Sequence, residues 1–366
     1  MNRRHLLLGG GAALVLAGAG TLAWRSATGT MASYERYAAR LREPLPADPQ
    51  IADLLRYATL AANSHNTQPW QFRAGDGVIE ILPDAARRTP AVDPDDHHLF
   101  VSLGCAAENL AIAARATGQP GDVEIDPAGA AVRYRFGSGA PMPDPLLAAI
   151  AARQSTRGAY DGRPVTTADM EKLAASAVMP GVGLILISDR AQMDQVRDLV
   201  VAGNTAQMAD PAFMAELKHW LRFSYRSAMA SGDGLFSATS GNPVLPDAIG
   251  GLAFDRFFSA AAENEKYARH IDSSAGIAVF VAEVEDKAHW IALGQACQRF
   301  ALTATSLGMK HAFINQPVEV AALRPEMASL IGVAGKRPDI VMRFGYGPAL
   351  PASPRRPVEA VLLPTA

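Results

Sequence analysis

Apolar positions along this chain fall into two long, nearly unbroken blocks and a set of shorter, more regular ones. Residues 102–118 and 292–308 are apolar around most of a helical circumference, which predicts two buried helices. They also repeat one another. At an offset of 190 the Leu-Gly pairs Leu103-Gly104 and Leu293-Gly294 coincide, as do three alanines and the closing Gly118 and Gly308. The closing glycines predict the C-terminal stops. Small residues along both segments (Gly104, Ala106, Ala111; Gly294, Ala296, Ala301) predict a close approach of the two helices.

The shorter blocks give a mixed architecture. Residues 51–62, 144–154 and 167–177 read as helices. Residues 77–83, 123–125, 131–136, 183–188, 277–284 and 340–345 read as strands. The repeat then divides the chain into a first half at about residues 45–145 and a second at about 146–366. About seventy residues of the second half, 204–274, have no counterpart in the first. They hold an aromatic-rich helix (213–230) and a Gly/Ser/Pro-rich loop (231–251), the makeup of a lid or an interaction surface.

Composition narrows the function. With 366 residues, 49% hydrophobic and 19% charged, the chain is globular rather than disordered. A net charge of −2 argues against nucleic acid as a partner. Two cysteines exclude a disulfide scaffold and a Cys-based zinc module. Only six of the 34 basic residues are lysine. Residues 1–30 lie outside the predicted fold. Arg3 and Arg4 precede an uncharged run from Leu6 to Trp24, the layout of an export signal, and the adjacent arginines resemble the twin-arginine type. The run is also long enough to remain as a membrane anchor. Either outcome places the protein in or facing the periplasm.

Three strings carry candidate chemistry. Asn63-Ser64-His65-Asn66-Thr67-Gln68-Pro69-Trp70 sets polar side chains between a helix end and a proline. Taken alone, it reads equally well as a helix C-terminus whose side chains meet orphan backbone groups. Arg153-Gln154-Ser155-Thr156-Arg157 puts two cations around a hydroxyl within one helical turn, a set suited to phosphate, although taken alone it reads more readily as a solvated basic helix end. The third string, Arg343-Phe344-Gly345-Tyr346-Gly347, is followed by Arg355 and Arg356.

Together and in this order, the strings resemble the nitroreductase-like FMN-dependent flavoproteins, more specifically the Acg-type branch with fused halves and an added lid. The resemblance covers about residues 50–360. It implies an α+β fold of two duplicated halves, a pseudo-dimer around the central helices, with FMN between them. It implies that Arg153, Arg157, Arg355 and Arg356 neutralise the phosphate and that Ser155 bonds ribityl or phosphate oxygens. Ser64, Asn66 and Gln68 would reach the cofactor from the other half, with Trp70 anchoring their loop. Asn315 and Gln316 would lie by the ring, where the family often has Glu-Gly.

The departures matter. Asn63 stands where the family has proline. The first half shows no good Arg-x-Ser-x-Arg string, and the second has residues 174–180 in place of another Gln-Pro-Trp string. One FMN per chain is therefore expected. The function expected is an exported FMN-dependent oxidoreductase with a small-molecule electron donor and acceptor. The missing carboxylate near Asn315 and the lid keep a second reading open, an FMN-sequestering or storage protein with little NAD(P)H turnover.

Other candidates are weaker. Asp93, Asp95, Asp96, His97 and His98 have the composition of a metal site, yet they precede a helix, where acids favour the N-terminal dipole. No metal is therefore assigned. Cys105 and Cys297 occupy nearly equivalent repeat positions and read as small core residues, able to pair only if the helices cross closely. The zincin and α/β-hydrolase signatures are absent from the sequence.

Overall fold

The computed structural model describes residues 21–126, 128 and 131–364, so residues 1–20 of the expected export segment lie outside the described residues. In chain order the strands are β1 (Trp70–Gly75), β2 (Val78–Pro83), β3 (Gly121–Ile125), β4 (Val132–Phe136), β5 (Val182–Ile187), β6 (Leu221–Arg222), β7 (Leu235–Phe236), β8 (Gly276–Ala282), β9 (Lys310–Phe313) and β10 (Ile340–Gly345). They form two four-stranded sheets, β1-β2-β4-β3 and β5-β8-β10-β9, and a small parallel pair, β6-β7. All neighbours within the larger sheets are antiparallel.

The two large sheets share one topology. Exchanging β1, β2, β3 and β4 for β5, β8, β9 and β10 converts one strand order into the other. In each, a 20-residue helix joins the second strand to the third: His97–Ala116 after β2 and Lys287–Ser306 after β8. These two helices pack across one another at the centre of the main core. Gly104 and Gly294 form the crossing point, where an added Cβ on either would meet the other's Cα at 3.0 Å. Each helix is followed by a glycine with positive φ, Gly118 at 84° and Gly308 at 77°. The Asp93 carboxylate accepts from His98 N and Leu99 N, both at 3.0 Å, which satisfies donors at the start of the first helix.

Alternation along β8 shows how the second sheet is covered on both faces. Ala278, Phe280 and Ala282 face the central helices. Ile277, Val279 and Val281 face a second core with Met193, Val196 and Val200 of helix Arg190–Ala209. Every residue of β8 is accordingly buried. Beyond β10 the chain crosses to the first sheet, where Phe72 N donates to Val361 O and Leu363 N to Phe72 O, both at 2.7 Å. This crossing brings the residues around 355 against the first half.

Several elements differ from the sequence reading. The expected helix 213–230 is broken into helices Pro211–Trp220 and Tyr225–Ser231, with β6 between them. The expected loop 231–251 holds β7, and helices Asp247–Phe257 and Ala260–Asp272 follow. The helix read over 144–154 is only Leu147–Ala152, so Arg153 to Arg157 lie beyond its end. Arg153 already has an extended backbone (φ −64°, ψ 133°), and Ser155 pairs with His311 in an isolated bridge. Off the helix the two arginines no longer share a turn, and they end in different places: Arg153 against Leu60 O, Arg157 at a cavity wall.

Candidate functional site

The loop after helix Ile51–Thr59 is built under strain. His65, Asn66 and Gln68 have positive φ values of 46°, 54° and 54°, unfavourable for residues with a Cβ. Long-range hydrogen bonds hold this shape. Asn66 Nδ2 donates to Gly234 O and Pro354 O, both at 3.1 Å. Gln68 Nε2 donates to Gly232 O at 2.8 Å, and its Oε1 accepts from Arg356 N at 2.9 Å. Trp70 is fully buried at the start of β1, the anchoring place expected for it.

Arg355 completes the staple. Its Nε donates to Thr59 O, its Nη1 to Asn66 Oδ1 and Pro354 O, and its Nη2 to Leu60 O and Ala61 O. All five N–H donors are thereby engaged, which leaves none for a phosphate. The expected cofactor contacts of Asn66, Gln68 and Arg355 are therefore corrected: these groups fasten the loop to the C-terminal segment. Arg356 also faces protein, donating to Ala360 O and lying 3.7 Å from Asp84. Arg153 is buried against Leu60 O at 2.8 Å, and Ser155 is engaged in its bridge to His311; neither lines the cavity described next.

Ser64, Arg157, Asn315 and Gln316 do come together, in a cavity of about 220 Å³. One wall is Ala62 to His65 with His98, Ser102 and Cys105 of the first central helix. The opposite wall is Ala312 to Gln316 with Arg343, at the end of the second sheet. The stretch 204–274 covers both with apolar side chains such as Phe213, Leu217 and Phe236, and with Tyr267 and His270. Segments adjoining both large sheets and the stretch 204–274 therefore contribute.

The electrostatics of the cavity are cationic at one point. Arg157 makes no hydrogen bond and no ion pair among the described residues, and burial pulls its guanidinium below the usual arginine range. Arg343, by contrast, is spent on His270 O, Ser274 Oγ, Thr156 O and Gly158 O. Burial, reinforced by Arg157, holds His65 at about 4. Burial and Arg343 hold His270 at about 3, so both imidazoles are neutral at pH 7. Burial pushes the Tyr267 phenol up to about 12. Asn315 Oδ1 accepts from Val341 N at 2.9 Å, which fixes the side chain and directs its NH₂ elsewhere. Gln316 Oε1 has no partner. A largely apolar slot with an unpaired guanidinium and fixed amides suits a flat, partly polar ligand carrying an anion.

His65 and His98 were within reach of sequence reasoning, since both sit inside strings already singled out. Tyr267 and His270 were not, because the 204–274 stretch carries no motif that aims them at the other walls.

The fold and this site together define a nitroreductase-like oxidoreductase. The nitroreductase family profile matches residues 150–347, just over half of the chain, and the chain belongs to that family. Among curated proteins, Rv3131 of Mycobacterium tuberculosis, whose name assigns it to the NAD(P)H nitroreductases, is 27% identical over 322 residues, 85% of this chain and 90% of its own length. The protein acg of the same organism, named likewise, is 23% identical over 325 residues, covering 85% of this chain and 94% of its own. Among solved structures, the FMN-dependent nitroreductase NfnB from Mycobacterium smegmatis, in complex with NADPH, is 14% identical with a TM-score of 0.38, covering 60% of this chain and 92% of its own. A nitroreductase with bound FMN from Desulfitobacterium hafniense is 15% identical with a TM-score of 0.36, covering 59% and 94%.

Proposed function

We propose that this chain is an FMN-dependent NAD(P)H oxidoreductase that holds one flavin per chain in the cavity between the two sheets. The observation that carries the reading is Arg157, a half-buried guanidinium facing the cavity with no hydrogen-bond or ion-pair partner among the described residues. A guanidinium that lines a cavity without a counter-ion is free to take an anion, and a phosphate monoester supplies the matching charge and acceptors. The names of Rv3131 and acg, NAD(P)H nitroreductases, support a nicotinamide as electron donor. FMN, when bound, would supply two-electron transfer between a nicotinamide and an acceptor.

This chain's residues would do the positioning. Arg157 holds the phosphate end. Ser64, Asn315 and Gln316 offer hydrogen bonds from opposite walls to the polar edges of the cofactor. Phe213, Leu217 and Phe236 keep water from that slot. The stretch 204–274 acts as a lid, and the two halves descend from one duplicated unit, of which only the second kept an arginine at the phosphate position. Residues 1–30 direct export to the periplasm or anchor the protein facing it; N-terminal sequencing of protein from cell envelopes tests this.

Releasing any ligand by heat and recording its spectrum tests the cofactor. A flavin absorption matching FMN at one equivalent supports the reading, and a colourless protein that takes up no FMN overturns it. Adding NADPH anaerobically then separates turnover from storage. Rapid bleaching with reduction of a nitroaromatic supports the oxidoreductase. A flavin that stays oxidised favours sequestration, the reading to which the apolar cover over the cavity would then belong.

A further inference from the structure

Beside the cavity, behind the first turn of helix His97–Ala116, lies a second polar cluster that the flavin reading does not use. Asp93, His97 and His98 each present one ligand atom, and these atoms lie within 4.8 Å of one another. All three residues are buried, at 3%, 1% and 6% exposure. Among the described residues, none of the four ring nitrogens of His97 and His98 has a hydrogen-bond partner. His97 Nε2 comes to 2.8 Å from Asp339 Oδ1, yet out of line for a hydrogen bond, and Asp339 Oδ1 is likewise unpartnered. From the other half, Glu319 Oε1 stands 3.9 Å from His98 Nδ1, while Asp93 Oδ1 stands 4.0 Å from the same nitrogen.

Such a concentration of orphaned donors and acceptors is rare in a folded interior unless something sits among them. The donor set selects the occupant. Imidazole with carboxylate suits a borderline divalent transition metal, whereas calcium and magnesium favour all-oxygen sites. Charge agrees on balance: the carboxylates of Asp93, Glu319 and Asp339 face the cluster, against Arg324 and Arg337, which pairs with Asp95 and has its Nε 4.0 Å from Asp339 Oδ1. Asp93 also remains competent while capping the helix, because a carboxylate oxygen holding one backbone N–H keeps a second lone pair.

We propose that Asp93, His97 and His98 bind a divalent transition-metal ion of the zinc class, with Glu319 placed to complete the coordination. Tetrahedral ligands at about 2.1 Å from zinc lie roughly 3.4 Å apart, so the side chains close by about 1 Å on binding, within the range of small χ rotations. The ion would tie the first turn of the first central helix to the second half through Glu319. It would also sit in the wall of the cavity, since His98 and Glu319 line both.

The test uses full-length protein purified without metal-affinity resin, equilibrated with zinc chloride, dialysed and assayed for metal by mass spectrometry. About one zinc per chain is expected. His97→Gln and His98→Gln should each weaken zinc binding at least about tenfold in a competition titration. A His289→Gln control, on the exposed side of helix Lys287–Ser306, should leave it unchanged. Absence of retained zinc, or equal affinity in all three variants, overturns the proposal. If the two cluster variants fail to fold, zinc-edge X-ray absorption of the wild-type protein decides. Two imidazoles with carboxylate oxygens support the site, and an all-oxygen shell overturns it.

Discussion

Gly104 and Gly294 touch backbone to backbone where the two central helices cross. A Cβ on Gly104 would stand 1.9 Å from Ile291 O, and one on Gly294 would stand 2.1 Å from Val101 O. Neither obstacle is a flexible side-chain end; both are main-chain carbonyls inside helices. Gly104→Ala and Gly294→Ala should therefore each force the helices apart, at a cost of about 3 kcal/mol or more, the upper end of overpacking penalties. Chemical denaturation of the purified variants measures this. A loss below about 1 kcal/mol would mean that the crossing can slide, against the packing described.

Arg157, half-buried at the cavity, and Arg355, fully buried, come from strings with the same apparent purpose, yet they should respond oppositely. Arg157→Ala removes a cation without protein partners, so the ligand-free protein should keep its stability, while FMN retention falls at least about tenfold. Arg355→Met strips the hydrogen bonds from Asn66 Oδ1 and four backbone carbonyls, so stability should fall by about 3–5 kcal/mol. Flavin content by absorbance and unfolding by denaturant, measured on both variants, separate the two roles. Full FMN retention in Arg157→Ala would count against the phosphate role.

That contrast also marks what was legible in the sequence. Gly104 and Gly294 were readable because a repeated Leu-Gly on an all-round apolar helix fixes register and spacing with local information. The polarity of Asn66, Gln68 and Arg355 was equally visible, but their direction was not. Their partners Gly232, Gly234, Pro354 and Leu60 lie far along the chain, and only the docking of residues 232–234 on the loop and the crossing of the C-terminal segment to β1 bring them together. Helices within 204–274 escaped for a related reason. Glycine and proline there read as loop, while caps such as Ser224 and Ser259, each accepting from a backbone N–H three residues on, start helices regardless.

Cys105 and Cys297 are neighbours at the helix crossing and are both free and buried. Cys105 Sγ donates to Gly294 O at 3.2 Å. The neighbouring Cys105 thiol, together with burial, raises the Cys297 thiol well above the ordinary range. A buried, protonated thiol is a poor nucleophile. A thiol-specific reagent should find no reactive thiol in the native protein and two after denaturation without reductant. Fewer than two after denaturation would reveal a disulfide and contradict the free pair.

Acid should unfold this protein partly through His311. The ring is fully buried, neither nitrogen has a partner, and burial followed by the charges of Arg153, Lys310, Arg157 and Arg343 depresses its pKa well below 6.5. Below pH 6.5 the unfolded chain takes up a proton at this position that the folded protein refuses. The stabilising difference is complete above pH 6.5 and is lost as pH falls, by about 1.4 kcal/mol per unit for one proton. His270, held at about 3 by burial and by Arg343, Lys266 and Arg269, adds a second such proton. Replacing His311 with Asn should therefore flatten the decline in unfolding free energy between pH 6 and pH 5 by about 1.2 kcal/mol, whatever it does to stability at pH 8. Denaturant titrations of both proteins at the three pH values measure the difference. Parallel pH profiles would show that His311 already carries a proton in the folded state.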